Sequence, residues 1–436
     1  MPESRILFTR VNLVDGEQPA RAGMHVVVQG KRIASVGRGP APPARPGDRV
    51  IDLAGRTLMP GMHSCHFHAG FGHFGQGISS PILGLEAPAA FLAMLAAKNA
   101  RTALHCGFTG IVGSSNGDGI DVCLKEAILL GVVEGPRMLA CTRELMTTGE
   151  QADGENRSWF MQVANKGLTR KVDGPDAWRE AVREELGRGA DILKISAGPG
   201  HGAAPAVDRM YLTREELRAA VGTAHDRGKK VRAHSPTRTS ILECARAGVD
   251  VIDHADRMDA ECIEAILESG SFVCPSMLWS TRFLGFAESW DHAAAPFPIG
   301  EGFPERLETT LERLRRVRED FEYTCRVMPE AAAAGVKMVV GDDFGTPLMP
   351  HGDYASELEF YVKHLGIPAQ DVIRWATRNG AALMGMGAEL GSVEPGKLAD
   401  LLVVDGDPLS DITCLKDAKN LLAILKDGAF VKDALG

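Results

Sequence analysis

The sequence predicts a (β/α)8 barrel carrying a small β-sandwich built from both chain termini. The middle of the chain, from about residue 90 to 385, alternates short apolar runs with amphipathic helical stretches. Both ends read instead as short strands. The apolar runs of the middle repeatedly finish on histidine, lysine or aspartate. Strand–helix units repeating every ~30–50 residues imply a parallel sheet, and over a segment of this size a closed barrel is the leading form. No GxGxxG follows an early strand, so a doubly wound open sheet is disfavoured.

Taken in order, the first segment offers "RILFTRVNLV", "GMHVVVQG", "RIASVG", "RVIDLAG" and "RTLMPG", punctuated by Gly, Asp and Pro. The closing "ADLLVVDGDP" and "LLAILKDGAFVKD" have the same texture, so residues 1–58 and 388–436 are expected to share one discontinuous β domain around a barrel spanning 59–387. Within the barrel, "GFTGIVGSS" precedes "DVCLKEAILLGVV", "ADILKISAG" precedes "TREELRAAVGTAHDRG", and "VDVIDHA" precedes "DAECIEAILESG". The stretch 277–304 is long and aromatic and is expected to form an apolar pocket wall. The run "ERLETTLERLRRVREDFE" reads as a solvated helix with i,i+4 charge pairs.

Composition narrows the function. The 436 residues are 44% hydrophobic and 24% charged, with a net charge of −9 and no basic run, which argues against nucleic acid and anionic membrane as partners. No window approaches 18 uninterrupted apolar residues, and the N-terminus lacks a signal-peptide pattern. Nine cysteines without CxxC pairs suit free thiols in a reducing cytoplasm. A cytoplasmic enzyme, expected to be a homo-oligomer acting on a small molecule, is the reading.

In a barrel, catalytic groups sit where strands end. Here the strand ends carry His66 and His68, Lys194, His234, His254, and the pair Asp342 and Asp343. Imidazoles and carboxylates together suit zinc, or iron, cobalt or manganese. His66 and His68 are two apart and share a strand face, whereas His63 and Cys65 are odd steps away and are expected to lie behind them.

The motifs "MPGMHSCHFH", "ADILKISAG", "VRAHS", "VDVIDHADR", "GDDFGTP" and "GSVEPGKLADLLVVDGDPL" span residues 59 to 407. Through them the chain resembles the amidohydrolase superfamily, in its prolidase-like and imidazolonepropionase-like dipeptidase branch. The resemblance implies two divalent ions. His66, His68 and Asp343 would hold one, His234 and His254 the other, and an N-carboxylated Lys194, built from CO2, would bridge them. It implies hydrolysis of an amide-type bond in an N-acyl amino acid or dipeptide by a metal-bridging hydroxide. Asp343 would act as general base and then acid, and Tyr211 would polarise the carbonyl. A carbamate, urea or aryl amide is the alternative substrate class.

The sequence also departs from that pattern. Ser64 stands where the resemblance implies an outer carboxylate. "TTGEQAD" puts Glu150 and Gln151 where the relatives carry a "TGGH" histidine, so Glu150 and Gln151 become candidate substrate contacts, together with His201 and His351 near strand ends. His73 lies in a glycine-rich loop after the first barrel strand that could serve as a lid.

Overall fold

The structure is a computed structural model and describes residues 5–72, 87–150, 153, 167–298, 306–346 and 348–435. At the N-terminus, alternating side chains build strands β1 (Arg5–Leu13), β2 (Arg21–Gln29), β3 (Arg32–Arg38), β4 (Arg49–Asp52) and β5 (Thr57–Pro60). In β1, Phe8, Val11 and Leu13 enter the core, with a register shift between Phe8 and Val11, while Arg10 stays exposed.

The chain then makes the barrel strands and their side strands: β6 (Met62–Phe67), β7 (Phe108–Gly113), β8 (Arg137–Leu139), β9 (Cys141–Met146), β10 (Thr169–Lys171), β11 (Ile192–Ser196), β12 (Lys230–Ser235), β13 (Val251–His254), β14 (Phe272–Cys274) and β15 (Lys337–Met338). It closes with β16 (Leu401–Val404), β17 (Leu421–Lys426) and β18 (Ala429–Asp433). These last three return to the first sheet, whose order is β18-β17-β16-β5-β1-β2-β3 with β4 beside β1. Its core includes Phe8, Leu13, Val26, Leu58, Leu401 and Val403.

The barrel strands pair in parallel, as β6-β7-β8 and as β10-β9-β11-β12-β13-β14-β15. The two sheets join at both edges. Cys65 donates its backbone N–H to Val340 at 2.7 Å, and Asn116 donates to Thr142 at 3.2 Å. The central strands read as near-continuous apolar runs because both faces are covered, by helices outside and by the opposite strands inside. Helix starts are written in the sequence: Thr213 with Glu216 forms a capping box, Thr237 pairs likewise with Ser240, and Asp259 caps the helix after β13.

The barrel floor is lined by Cys65, Val112, Cys141, Ile192, Val251, Cys274 and Val339. Above this apolar layer lies a charge that the outer core could not tolerate. Arg232, fully buried on β12, donates from Nη2 to Asp253 Oδ1 at 2.6 Å and from Nε to Oδ2 at 3.1 Å. Its Nη1 donates to the carbonyls of Cys65 and Gly113, each at 2.8 Å. One guanidinium fork thus ties β12 to β13, β6 and β7, a task for which its planar, fixed donors suit it. Burial alone would raise the Asp253 carboxyl, but Arg232 and then Lys194 hold it far below the usual carboxylate range.

Two expectations need correction. The helix Leu307–Ala333 is more than a solvated face: Arg313, Val317, Asp320 and Thr324 are buried, and Asp320 accepts from the Ala206 backbone N–H at 2.7 Å. Stretch 277–304, read from sequence among the loops, is not one throughout, because Met277–Ser289 is a helix. Among the described residues, no helix is long and apolar enough to cross a membrane.

Removing one partner of a buried pair strands the other charge, so Arg232→Met is expected to lower unfolding free energy by about 3–5 kcal/mol in urea titrations. A variant within about 0.5 kcal/mol of the parent, the range of ordinary surface changes, would contradict this role for Arg232.

Candidate functional site

The ligand-type residues of five strand ends converge at the C-terminal mouth of the barrel. From β6, His66 places Nε2 2.8 Å from Asp343 Oδ1, and His68 Nε2 lies 3.3 Å from the same oxygen. His66 Nδ1 faces Ser276 Oγ at 3.3 Å, and His68 Nδ1 faces Ser115 at 3.4 Å, so each ring has its second nitrogen fixed from behind. From β13, His254 stands with its ring centroid 5.4 Å from that of His66 and 4.6 Å from that of His234 on β12.

Asp343, rather than Asp342, reaches the histidines. Asp342 turns the other way and accepts from the backbone N–H groups of Leu278, at 2.7 Å, and Trp279, at 3.3 Å, at the start of helix Met277–Ser289. Adjacent residues of an extended chain face opposite sides, so only one of the two carboxylates enters the site. Burial, followed by the neighbouring Asp343, pushes the Asp342 carboxyl up to about 7. The preceding Gly341 sits at φ 148°, and a Cβ there would lie 2.2 Å from the backbone N of His66. β6 can approach this turn only if position 341 is glycine. Glu357 then accepts from the Gly341 N–H at 2.9 Å and from the Tyr361 hydroxyl at 2.8 Å, completing the support.

Lys194 lies one layer beneath the imidazoles. Its Nζ is 2.8 Å from Asp253 Oδ2 and 3.3 Å from Ser114 Oγ, and Asp253 Oδ1 is 3.7 Å from His66 Nδ1. Glu144 is the register partner of Lys194 on β9, so both side chains take the inner face. Burial raises the Glu144 carboxyl, partly offset by Lys194. Burial and then Glu144 raise the carboxyl of Glu150 well above its ordinary value.

Burial holds His66, His234 and His254 neutral. It lowers His66 to about 4, and burial followed by Lys194 lowers His234 to about 3. His254 falls well below its ordinary value through burial, with His201 and His234 adding to the effect. His201 goes the other way. Burial would lower it too, but Asp256 and then Asp343 outweigh that and raise it to about 9.

The remaining candidates divide. His201 enters the cluster, with its ring stacked on His254 at 3.7 Å. His351 bonds to the Tyr354 hydroxyl at 2.9 Å and packs against Phe67, whose side chain belongs to the outer core and not to the site. Tyr211 donates its backbone N–H to Ala197 at 2.9 Å, immediately after β11, with Arg209 over its ring. Gln151 and His73 lie outside the described residues.

Cys65 corrects an expectation. β6 is irregular against β7, with register shifts between Met62 and His63 and between Ser64 and Phe67. The thiol therefore lines the barrel floor beneath the site and is not on the face behind it. His63 is packed between Gly110 and Gly380, where burial lowers it to about 4.

Sequence reasoning missed Arg232, Asp253 and Asp256. The signal existed for the first, since Arg232 is two residues before His234 and so shares its face.

Gly341→Ala should cost at least about 1–3 kcal/mol of stability by overpacking against β6, read by urea unfolding, and unchanged stability would refute the close-approach argument.

Residues 57–431 match the model of the family described as "Amidohydrolase family". The chain is 26% identical over 390 residues to an ochratoxinase of Aspergillus niger, covering 86% of this chain and 76% of that protein. It superposes with a TM-score of 0.83 and 27% identity on the crystal structure of a Xaa-Pro dipeptidase with bound methionine in the active site, covering 98% of this chain and 100% of that one. A prolidase complexed with N-methylphosphonate-L-proline gives a TM-score of 0.82 at 28% identity, covering 99% of this chain and 100% of that one.

Proposed function

Because this chain belongs to the amidohydrolase family and so hydrolyses carbon–nitrogen bonds, we propose that it is a binuclear metal-dependent hydrolase of N-acyl amino acids or dipeptides. The observation that carries the reading is Asp343, whose one oxygen lies 2.8 and 3.3 Å from the inward nitrogens of His66 and His68 at the barrel mouth. The dipeptidase and prolidase likenesses support the substrate class.

The donor set fits divalent cations, which the family generally uses. Buried neutral imidazoles offer lone pairs, and the Nδ1 of His254 is buried without a hydrogen-bond partner. His66, His68 and Asp343 would hold one ion, and His234 and His254 the other, with Lys194, once carboxylated, shared between them. Zinc is the expected metal, with iron, cobalt or manganese as alternatives. When bound, such ions polarise a carbonyl and make water a competent nucleophile near neutral pH.

The chain's own residues supply the rest. Asp343 is ionised, since His66 and His68 outweigh the effect of its burial, so it can accept a proton from the attacking water. The same carboxyl, now protonated, delivers that proton to the leaving nitrogen. Tyr211 would donate to the carbonyl oxygen as it gains charge. Glu150 would contact the substrate.

The side chain of Lys194 is buried, and its amine must be neutral to take up CO2.

Asp343→Asn is expected to lower kcat on N-acyl amino acids or Xaa-Pro dipeptides by roughly 10²–10⁴-fold. Near-parental turnover in that variant would refute the assignment of Asp343 as base. Lys194→Ala is expected to lose metal as counted by mass spectrometry, and parental metal content in that variant would remove the bridge.

A further inference from the structure

Glu150 is a carboxyl that the fold buries and leaves without a partner. β9 ends at Met146, and the chain beyond it is tied to its neighbours. Thr147 Oγ1 donates to the Tyr211 carbonyl at 3.4 Å, and Thr148 donates from N and Oγ1 to Asp173 at 3.0 and 2.6 Å. Thr148 and Gly149 are exposed. Gly149, at φ 83°, then turns the chain back so that the next side chain is buried. Asp153 holds this turn, donating its N–H to the Glu150 carbonyl and accepting from the Gly149 N–H, each at 3.0 Å.

Glu150 is 2% exposed, and neither of its carboxyl oxygens makes a hydrogen bond. The cations carried by β9, β10 and β11 all pair elsewhere: Arg143 with Glu185 at 2.7 Å, Arg170 with Glu184 at 2.5 Å, Lys171 with Asp153 at 3.5 Å and Lys194 with Asp253 at 2.8 Å. The charged groups that act on Glu150 are Glu144 and Asp153, both of its own sign. A buried carboxyl among like charges is costly to ionise. A cation arriving beside it offsets that cost and lets its proton leave to water.

The carboxyl also borders the candidate metal site. The Ser196 side chain lies beside it. Ser196 is the last residue of β11 and the register partner of His234 on β12. A group bound to Glu150 would therefore sit next to the end of the site where His234 stands.

Resting on the hydrolase reading above, we propose that Glu150 receives a free ammonium group on the acyl side of the scissile bond. The substrate is then a dipeptide with an unblocked N-terminus, and not an N-acyl amino acid. A dipeptide carries its ammonium on the carbon attached to the scissile carbonyl, which presents it at the border of the site. An N-acetyl group sets a methyl there, which cannot satisfy a buried carboxyl. An ammonium supplies the missing hydrogen-bond donors and the opposite charge together.

The test uses the full chain loaded with zinc, in parent, Glu150→Gln and Glu150→Asp forms. The substrates are alanyl-L-proline with propionyl-L-proline, and alanyl-L-phenylalanine with propionyl-L-phenylalanine. The members of each pair share a scissile bond and differ only in the ammonium. The ratio of their kcat/KM values is read, with metal content by mass spectrometry beside it. The parent should favour the alanyl member by roughly 10²-fold or more. Glu150→Gln should bring that ratio to within a few-fold of one at parental metal content, and Glu150→Asp should keep part of it. A parental ratio near one, which needs no variant to measure, or a preference that survives in Glu150→Gln, overturns the ammonium site. A parent that hydrolyses both members equally well leaves the hydrolase reading standing. A metal-loaded parent that turns over none of these substrates overturns both readings.

Discussion

The buried pair of Arg232 and Asp253 is the constraint from which the site follows. A guanidinium with no exposed surface is costly unless every donor is used, and here Nε, Nη1 and Nη2 all find oxygen partners on three other strands. Satisfying them fixes the spacing of β6, β7, β12 and β13. Those strands carry His66, His68, His234 and His254 one layer higher. The same Asp253 receives Lys194 and lies near the inner nitrogen of His66, so the charge below and the imidazoles above are set by one carboxylate.

The layers have opposite chemistry. Beneath the pair, thiols and aliphatic side chains fill the floor, and burial pushes the Cys65 thiol up to about 12, which keeps it inert. Above it, burial does the reverse to His66, His234 and His254 and leaves them neutral. Desolvation thus suppresses reactivity in the floor and prepares ligands at the mouth. Outside the barrel, Asp342 and Glu357 hold the Gly341 turn so that the next residue, Asp343, points inward.

Much of this was legible in the sequence. Alternation between apolar runs and amphipathic stretches gave the barrel, and the residues ending those runs gave His66, His68, Lys194, His234, His254 and Asp343, which the fold gathers at one mouth. What escaped has physical reasons. Arg232 and Asp253 sit inside the quoted motifs, but a charge in an apolar strand gains meaning only once its cross-barrel partner is known. Cys65 was misplaced because β6 is irregular, and period-two reasoning assumes a regular strand. On helix Leu307–Ala333, the buried Arg313, Val317, Asp320 and Thr324 do recur at helical spacing, yet their polarity hid the stripe. His201 was named from its place near a strand end, but its exact position could not be read, because its glycine-rich loop has no period and is held by long-range contacts of Ala206 to Asp320 and of Ala203 to Arg313.

The central claim is that two ions held by these strand ends act with Asp343 on an amide. The most direct measurement is titration of the metal-free protein with zinc, following both binding by calorimetry and hydrolysis of an N-acyl amino acid or dipeptide. The account predicts that activity rises until two equivalents per chain are bound. Full activity at one equivalent, or activity indifferent to zinc, would contradict it.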